Sequence, residues 1–255
     1  MKADLFDLTG KKLKSVDLPI QFNEDYDNDL VSRAVLAIRS HNIQPYGTMP
    51  RAGMNYSAKL SRRRRDYKGS YGKGIARVPR KTMWRRGMQF GWVGALAPGT
   101  VGGRKSHPPK AAKIWALKIN DKERKKAIRS ALSGASSLAK FIVIEDKFET
   151  LKNTKEVKNV LKLLGFSIES VKRKRAGAGK SRGRRTRHGL KALVVVSGKC
   201  DLVNALSNLP GYDVVDVRSV NAALLTVGVE KPRSCIFTDK ALGILNKEGL
   251  FLNKK

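Results

Sequence analysis

The side chains with the clearest chemistry in this sequence are the cations and aromatic rings of residues 45–113. The stretch contains 17 Lys and Arg residues against one acid, Asp66, and it holds four of the six tyrosines and two of the three tryptophans. Cationic side chains neutralise phosphates, aromatic rings stack on unpaired bases, and glycine lets a backbone approach its partner closely. Because a merely disordered, solubilising stretch is normally poor in aromatic residues, the combination predicts a nucleic-acid contact.

Two groups of residues in this stretch are the candidate contacts. The cations are expected to lie along phosphates, with a solvated charge cluster as the alternative for the run at 62–65. The aromatic residues are expected to stack on bases or riboses, with packing against a neighbouring protein as the alternative. The predicted contact residues are Arg51, Arg62, Arg63, Arg64, Arg65, Tyr67, Tyr71, Lys73, Arg77, Arg80, Lys81, Trp84, Arg85, Arg86, Trp92, Arg104 and Lys105.

A second basic segment, at residues 172–191, contains ten Lys and Arg residues and no acid. Together the two stretches hold most of the formal net charge of +32, so the remainder of the chain has an ordinary charge balance. Charge of this size predicts a polyanionic partner rather than a particular fold. The contact residues predicted in the second segment are Lys174, Arg175, Lys180, Arg182, Arg184, Arg185 and Arg187.

The patterns that would indicate an enzyme fail in this chain. Gly179-Lys180-Ser181 ends like a phosphate-binding loop, but the position of the first glycine is occupied by Lys174. No serine hydrolase, metalloprotease or kinase signature is present, and the three histidines lack zinc-ligand spacing. We therefore predict no catalytic residue, metal or cofactor. An RNA-modifying enzyme on a Rossmann-like core and a DNA-compacting basic protein remain the alternative functions.

The helices and strands expected outside the basic segments indicate an α/β fold. A hairpin is expected over residues 3–18, and helices are expected from Asp27 or Asn28 to Asn42, from Asn120 or Asp121, from a cap at Thr154 to Gly165, from Asp201 to Gly211, and over 239–245. Strands are expected at 141–144, 168–171, 192–197, 213–217 and 234–238. Strands that alternate with helices favour a mostly parallel sheet with helices on both faces.

The domain organisation follows from this pattern. Residues 1–44 and 114–255 are predicted to form one globular α/β domain, with 172–191 as a basic segment within it. Residues 45–113 are predicted to be a long extended loop inserted in that domain, and they show neither a helical nor a strand period. A loop of this length requires a function or a partner that orders it.

Three further features of the sequence indicate the cellular compartment. No apolar run approaches the roughly 18 residues of a membrane-spanning helix, and the first residues lack the layout of a signal peptide. Cys200 and Cys235 have no closely spaced cysteine partner and are expected to be buried free thiols. We therefore expect a cytoplasmic protein.

Three segments resemble the universal large-subunit ribosomal protein four family. Residues 72–80 (GKGIARVPR), followed by WRRG at 84–87, resemble the loop of that family. Residues 174–180 (KRAGAGK), with Arg182, Arg184 and Arg185, resemble the second basic motif of its archaeal and eukaryotic branch. Residues 209–215 (LPGYDVV) and Asn221 resemble the stretch that follows, and the chain looks like a compact archaeal member.

The resemblance implies a non-catalytic structural constituent of the large ribosomal subunit. It implies that the globular domain lies on the outer surface of the subunit, in contact with 23S-type rRNA through the second basic motif. It also implies that the extended loop runs through the rRNA to the wall of the nascent-peptide exit tunnel. There the universal ribosomal protein twenty-two would be its neighbour.

Overall fold

The structure is a computed structural model that describes residues 1–65, 69–167, 172–173, 183, 187–229 and 231–252. Residues 168–171, where a strand was expected, lie outside this described part. By its internal contacts the chain divides into two compact units. The first unit comprises residues 1–42 and 116–255, and the second comprises 43–115. We call them the globular unit and the extension.

The described residues form short strands and six α-helices. The strands are Lys2–Phe6 (β1), Lys12–Asp17 (β2), Arg80–Arg86 (β3), Gln89–Gly94 (β4), Phe141–Ile144 (β5), Lys172–Arg173 (β6), Arg187–His188 (β7), Leu193–Val196 (β8), Asp213–Asp216 (β9), Thr226–Val227 (β10), Lys231–Pro232 (β11) and Cys235–Thr238 (β12). The helices are Asn28–His41 (α1), Asp121–Ser137 (α2), Thr154–Leu163 (α3), Leu202–Ser207 (α4), Ala222–Leu225 (α5) and Asp239–Lys247 (α6).

The globular unit is built on a six-stranded sheet in the order β2-β1-β5-β12-β8-β9. β1 and β2 form an antiparallel hairpin, and all the other neighbouring strands are parallel. The prediction of a mostly parallel α/β sheet is therefore confirmed. The central strands are short apolar runs rather than alternating ones, as expected for strands that are buried on both faces.

The strand register separates the apolar residues into two cores. Val143, Phe237 and Val195 are cross-strand neighbours and belong to one core, which α1, α2, α5 and α6 cover. Ile236 and Val194, one position earlier in their strands, belong to the other core, which α3 and α4 cover. Successive side chains of a strand point to opposite faces, so each short strand supplies both layers.

Local signals in the sequence account for some of the helix ends. The Asp27 carboxylate accepts hydrogen bonds from the backbone N–H groups of Asp29 and Leu30, both at 3.1 Å, and so caps α1 as predicted. Gly165 has a φ of +72° and ends α3, which is the conformation that glycine adopts most readily.

Some of the predicted boundaries were wrong. The cap of α3 is Asn153, and Thr154 is the first helical residue. α4 begins after Asp201 but ends at Ser207, before Pro210-Gly211. The four-residue α5 and the β10–β11 hairpin were not predicted, because elements this short have no measurable period.

The extension is not the strandless loop that the sequence predicted. β3 and β4 form an antiparallel hairpin within it, paired from Arg80–Gly94 to Arg86–Gln89. All residues of the two strands are exposed or only partly buried. Because neither face of the hairpin packs into a core, its sequence lacks the alternation of apolar and polar residues by which a half-buried strand is predicted. In the described part of the extension, only Ser61, Gly69, Ser70 and Ala95 are buried.

Candidate nucleic-acid interface

The β3–β4 hairpin presents the basic and aromatic residues of the middle of the extension. Arg86 and Gln89 are paired across a two-residue turn, Gly87-Met88, and Gly87 has the positive φ (+55°) that such a turn requires at its first position. Met83 is an extra residue that shifts the register between Thr82 and Trp84. The Trp84 ring is 56% exposed and Met88, at the turn, is 92% exposed.

Several predicted cations and aromatic rings are paired with one another. The Arg77 guanidinium lies 4.5 Å from the centre of the Tyr71 ring, and the Arg80 guanidinium lies 5.2 Å from that of Trp92. Cation–ring contacts of this kind contribute about 0.5–1 kcal/mol at exposed sites. They hold the charged groups beside the rings, so one small surface can offer both a phosphate contact and a stacking face.

Most cations of the extension lack a carboxylate partner within the described residues. Arg85 apart, no Lys or Arg of residues 43–65 and 69–115 forms an ion pair with a described carboxylate. In the globular unit, cations such as Lys12, Arg129 and Arg233 do form ion pairs. Positive charge in the extension is therefore available to an external anion.

The remaining predicted residues are distributed along the extension. Arg62, Arg63, Arg64 and Arg65 are all exposed, as are Arg51, Lys73, Arg86 and Lys105. Two arms of the extension approach closely at Gly53, where an added Cβ would lie 2.7 Å from the Arg104 Cα. This approach brings the segment that carries Arg51 beside the segment of Arg104.

Part of the predicted site lies outside the described residues. This applies to Tyr67 and to Lys174, Arg175, Lys180, Arg182, Arg184 and Arg185. Arg187 is described, and it is exposed in β7, which pairs with β6. The contribution of the second basic segment therefore stays a prediction.

Sequence reasoning missed three aromatic residues of the extension. The Lys81 ammonium lies 3.8 Å from the centre of the Tyr56 ring. Tyr46 and Trp115, at the two ends of the extension, have ring centres 4.5 Å apart. The lysines on both sides of Trp115, Lys110, Lys113 and Lys118, could have indicated it, but the predicted loop ended at residue 113.

The carboxyl edge of the parallel sheet, where α/β enzymes commonly bind nucleotides, is filled here by a carboxylate. Glu149 accepts hydrogen bonds from the backbone N–H of Ser197 at 2.8 Å and from its hydroxyl at 2.6 Å. The Thr238 hydroxyl donates to the same carboxylate at 2.7 Å. Donors that could hold a phosphate at the ends of β8 and β12 are therefore already used.

The two thiols differ in their surroundings. Cys235 is buried as predicted, and desolvation raises the pKa of its thiol to about 12. Cys200 is only partly buried, so the prediction of burial was wrong for this residue. It lies in the connection after β8 rather than within a strand, and its pKa is also raised, chiefly by desolvation.

Two kinds of feature are absent from the described residues. No described helix combines the length and the apolar character needed to cross a membrane. The described residues also contain no group of three or more His, Cys, Asp or Glu side chains placed to hold a metal ion.

Comparison with known proteins identifies one family. The profile of the ribosomal protein L4/L1 family matches residues 16–248. Large ribosomal subunit protein uL4 of Nanoarchaeum equitans is 40% identical, over 98% of this chain and 100% of the relative. Its counterparts in Archaeoglobus fulgidus and Methanocaldococcus jannaschii are 36% and 37% identical, over 97% and 95% of this chain and 99% and 97% of the relatives.

Proposed function

Because the chain belongs to the ribosomal protein L4/L1 family, we propose that it is a structural constituent of the large ribosomal subunit that binds large-subunit rRNA. The observation that carries this proposal is the state of the cations in the extension. Most of those that the structure describes are exposed, several lie beside aromatic rings and, Arg85 aside, they have no described carboxylate partner. An RNA backbone supplies the missing negative charge, and its unpaired bases supply stacking partners.

The role that we propose is architectural rather than catalytic. The carboxyl edge of the sheet is occupied by Glu149 and its hydroxyl donors, which disfavours a nucleotide cofactor there. The contacts are proposed to be the residues predicted from the sequence, in the extension and in residues 172–191. Tyr56 joins this set because Lys81 lies over its ring.

The extension is proposed to follow the rRNA into the subunit as far as the wall of the exit tunnel. Residues 43–115, folded out and back, can reach at most roughly 120 Å at ~3.3 Å per residue. The exposed Met88 turn and Trp84 suit contact with another surface at the far end. The universal ribosomal protein twenty-two is proposed as a protein neighbour there, in line with the family resemblance of this loop.

A co-sedimentation experiment tests the proposal. Large subunits assembled with the tagged chain are washed at high salt, and the chain should remain with the subunit fraction. A variant with glutamine at positions 62–65 should be retained more weakly by the subunit, because it loses four of the proposed contacts with rRNA phosphates. A charge-matched control places glutamine at the exposed Lys155, Lys158, Lys162 and Lys199, outside the proposed contacts, and should stay bound. Loss of the unmodified chain from washed subunits would contradict the proposal.

A further inference from the structure

The two ends of the extension line an open cavity, and none of the predicted contact residues belongs to its lining. Its volume is about 480 Å³, and its lining includes Tyr46, Pro108, Pro109, Lys113 and Trp115. This volume lies within the ~300–1,000 Å³ of small-molecule sites. All of the lining residues belong to residues 43–115, so the cavity is formed within one compact unit.

The walls of the cavity are held together by the backbone. The Thr48 N–H donates a hydrogen bond to the Pro109 carbonyl at 3.1 Å, which joins the outgoing and returning arms. An added Cβ at Gly47 would lie 2.5 Å from the Ala111 nitrogen, so the arms approach as closely as glycine allows. The Lys113 N–H donates to the Lys110 carbonyl at 3.1 Å and turns the returning arm. The cavity is therefore preformed rather than assembled by its ligand.

The lining combines flat apolar surfaces with positive charge. The Tyr46 and Trp115 rings are tilted by 38° with their centres 4.5 Å apart, and Tyr46 remains 58% exposed. The Lys113 ammonium lies 5.1 Å from the centre of the Trp115 ring, and Lys110 also lines the cavity. No acidic residue is among the lining residues.

The Trp115 indole contributes its ring rather than a polar group. Its Nε1 is buried and has no hydrogen-bond partner among the described residues. Because the buried N–H is not open to a ligand in the preformed cavity, the indole serves as the surface against which the Tyr46 ring packs.

We propose that this cavity binds one unpaired nucleotide of the rRNA. The inference deepens the proposed function and rests on it. The base stacks on Tyr46 and lies against Pro108 and Pro109. Lys110 and Lys113 neutralise the flanking phosphates. Two lysines and no acid favour a nucleotide over an apolar peptide side chain, because both lysines then find an anion.

Chemical probing of the base edges of large-subunit rRNA tests this proposal. The full-length chain should protect an unpaired nucleotide, and Tyr46→Ala should lose that protection while keeping the others. The affinity should fall about fivefold or more, as for the loss of one stacked base. Trp115→Phe keeps a ring against which Tyr46 can pack, so it should keep the protection.

A control outside the cavity and a second variant within it separate loss of the site from general damage. The control is Ile114→Ala, because the Ile114 side chain is 84% exposed and lies beside the cavity without lining it. This variant should leave every protection intact. Lys113→Ala keeps both rings in place and should weaken binding without loss of structure.

The outcomes of these experiments distinguish failure of the nucleotide site from failure of the proposed rRNA-binding function. Identical protections by the unmodified chain and by Tyr46→Ala would overturn the nucleotide site and leave rRNA binding intact. Absence of any protection by the unmodified chain would instead count against the proposed function. Photo-crosslinking from position 46 in assembled subunits should yield an RNA product, and a product with a protein alone would also overturn the site.

Discussion

At the residue scale, one buried guanidinium makes several contacts within the globular unit. Arg233 is 1% exposed and donates to the backbone carbonyls of Lys191 at 2.5 Å, Gly211 at 2.9 Å and Ala192 at 3.2 Å. It also forms an ion pair of 2.6 Å with Asp213. A guanidinium presents five donors in one plane, so it can join the segments that precede β8, β9 and β12. These contacts hold the amino edge of the sheet together.

Replacing Arg233 with Met should therefore destabilise the globular unit. The aliphatic volume is kept, but several buried carbonyls lose their donor, and the free energy of unfolding should fall by about 2–4 kcal/mol. Urea denaturation followed by circular dichroism measures the change. Arg218→Met is the matched control, because the Arg218–Glu248 pair is exposed and should contribute little. Equal stability of the two variants would show that the carbonyl contacts of Arg233 do not stabilise the fold.

A second pair of arginines tests whether a cation without a carboxylate partner contributes more to RNA binding than one that is already in an ion pair. Arg64 is exposed and has no described carboxylate partner, whereas Arg124 forms an ion pair with Asp121 at 2.7 Å. Arg64→Ala should reduce the slope of log K against log salt by roughly 0.7–0.9, the value for one lost phosphate contact. Filter binding to an rRNA fragment at several salt concentrations measures this slope. Arg124→Ala removes the same charge and should leave the slope unchanged, so a similar decrease in both variants would mean that only net charge matters.

At the element scale, the sequence predicted those elements that carry their own signals. α1 was predicted because Asp27 caps it and its apolar residues recur at helical spacing, and β8 because it is an unbroken apolar run. The β3–β4 hairpin was missed because its faces are not buried in a core. Arg233 could not be identified because its partners are carbonyls of segments distant in sequence. The cavity depends on the approach of Tyr46 to Trp115, which pairing of the two arms creates.

The hairpin should be separable from the rest of the chain. Arg80 and Gly94 are cross-strand partners, so residues 81–93 can be replaced by a two-residue Asn-Gly turn. The thermal unfolding midpoint of the globular unit should stay unchanged, because the sheet and both of its cores lie within residues 1–42 and 116–255. Calorimetry measures the midpoint, and binding to rRNA should weaken.

A control for this deletion keeps the strands and replaces only Gly87-Met88 with Asn-Gly. It should retain the cation–ring contact of Arg80 with Trp92 and most of the affinity for rRNA. Unfolding of the globular unit upon removal of residues 81–93 would disprove the independence of the two parts.

At the scale of the whole molecule, the two units differ in how their charge is compensated. Every acid of the sequence except Asp66 lies outside residues 43–115. The globular unit therefore has carboxylates for many of its own cations and two apolar cores. The extension has few buried residues and an excess of positive charge, which raises its free energy by self-repulsion. Phosphate binding relieves that repulsion, so RNA binding and ordering of the extension should be coupled.

This coupling predicts a difference in proteolysis between the free chain and the assembled subunit. Trypsin should cleave the free chain first within residues 43–115, because exposed lysines and arginines there lie on a backbone with little buried surface. In the large subunit, rRNA should cover the same bonds, and the early fragments should disappear. Mass spectrometry of timed digests locates the cuts, and the bonds after the buried Arg129 and Arg233 serve as slow references in both states. Equal cleavage of the extension in the free chain and in the subunit would exclude ordering by RNA.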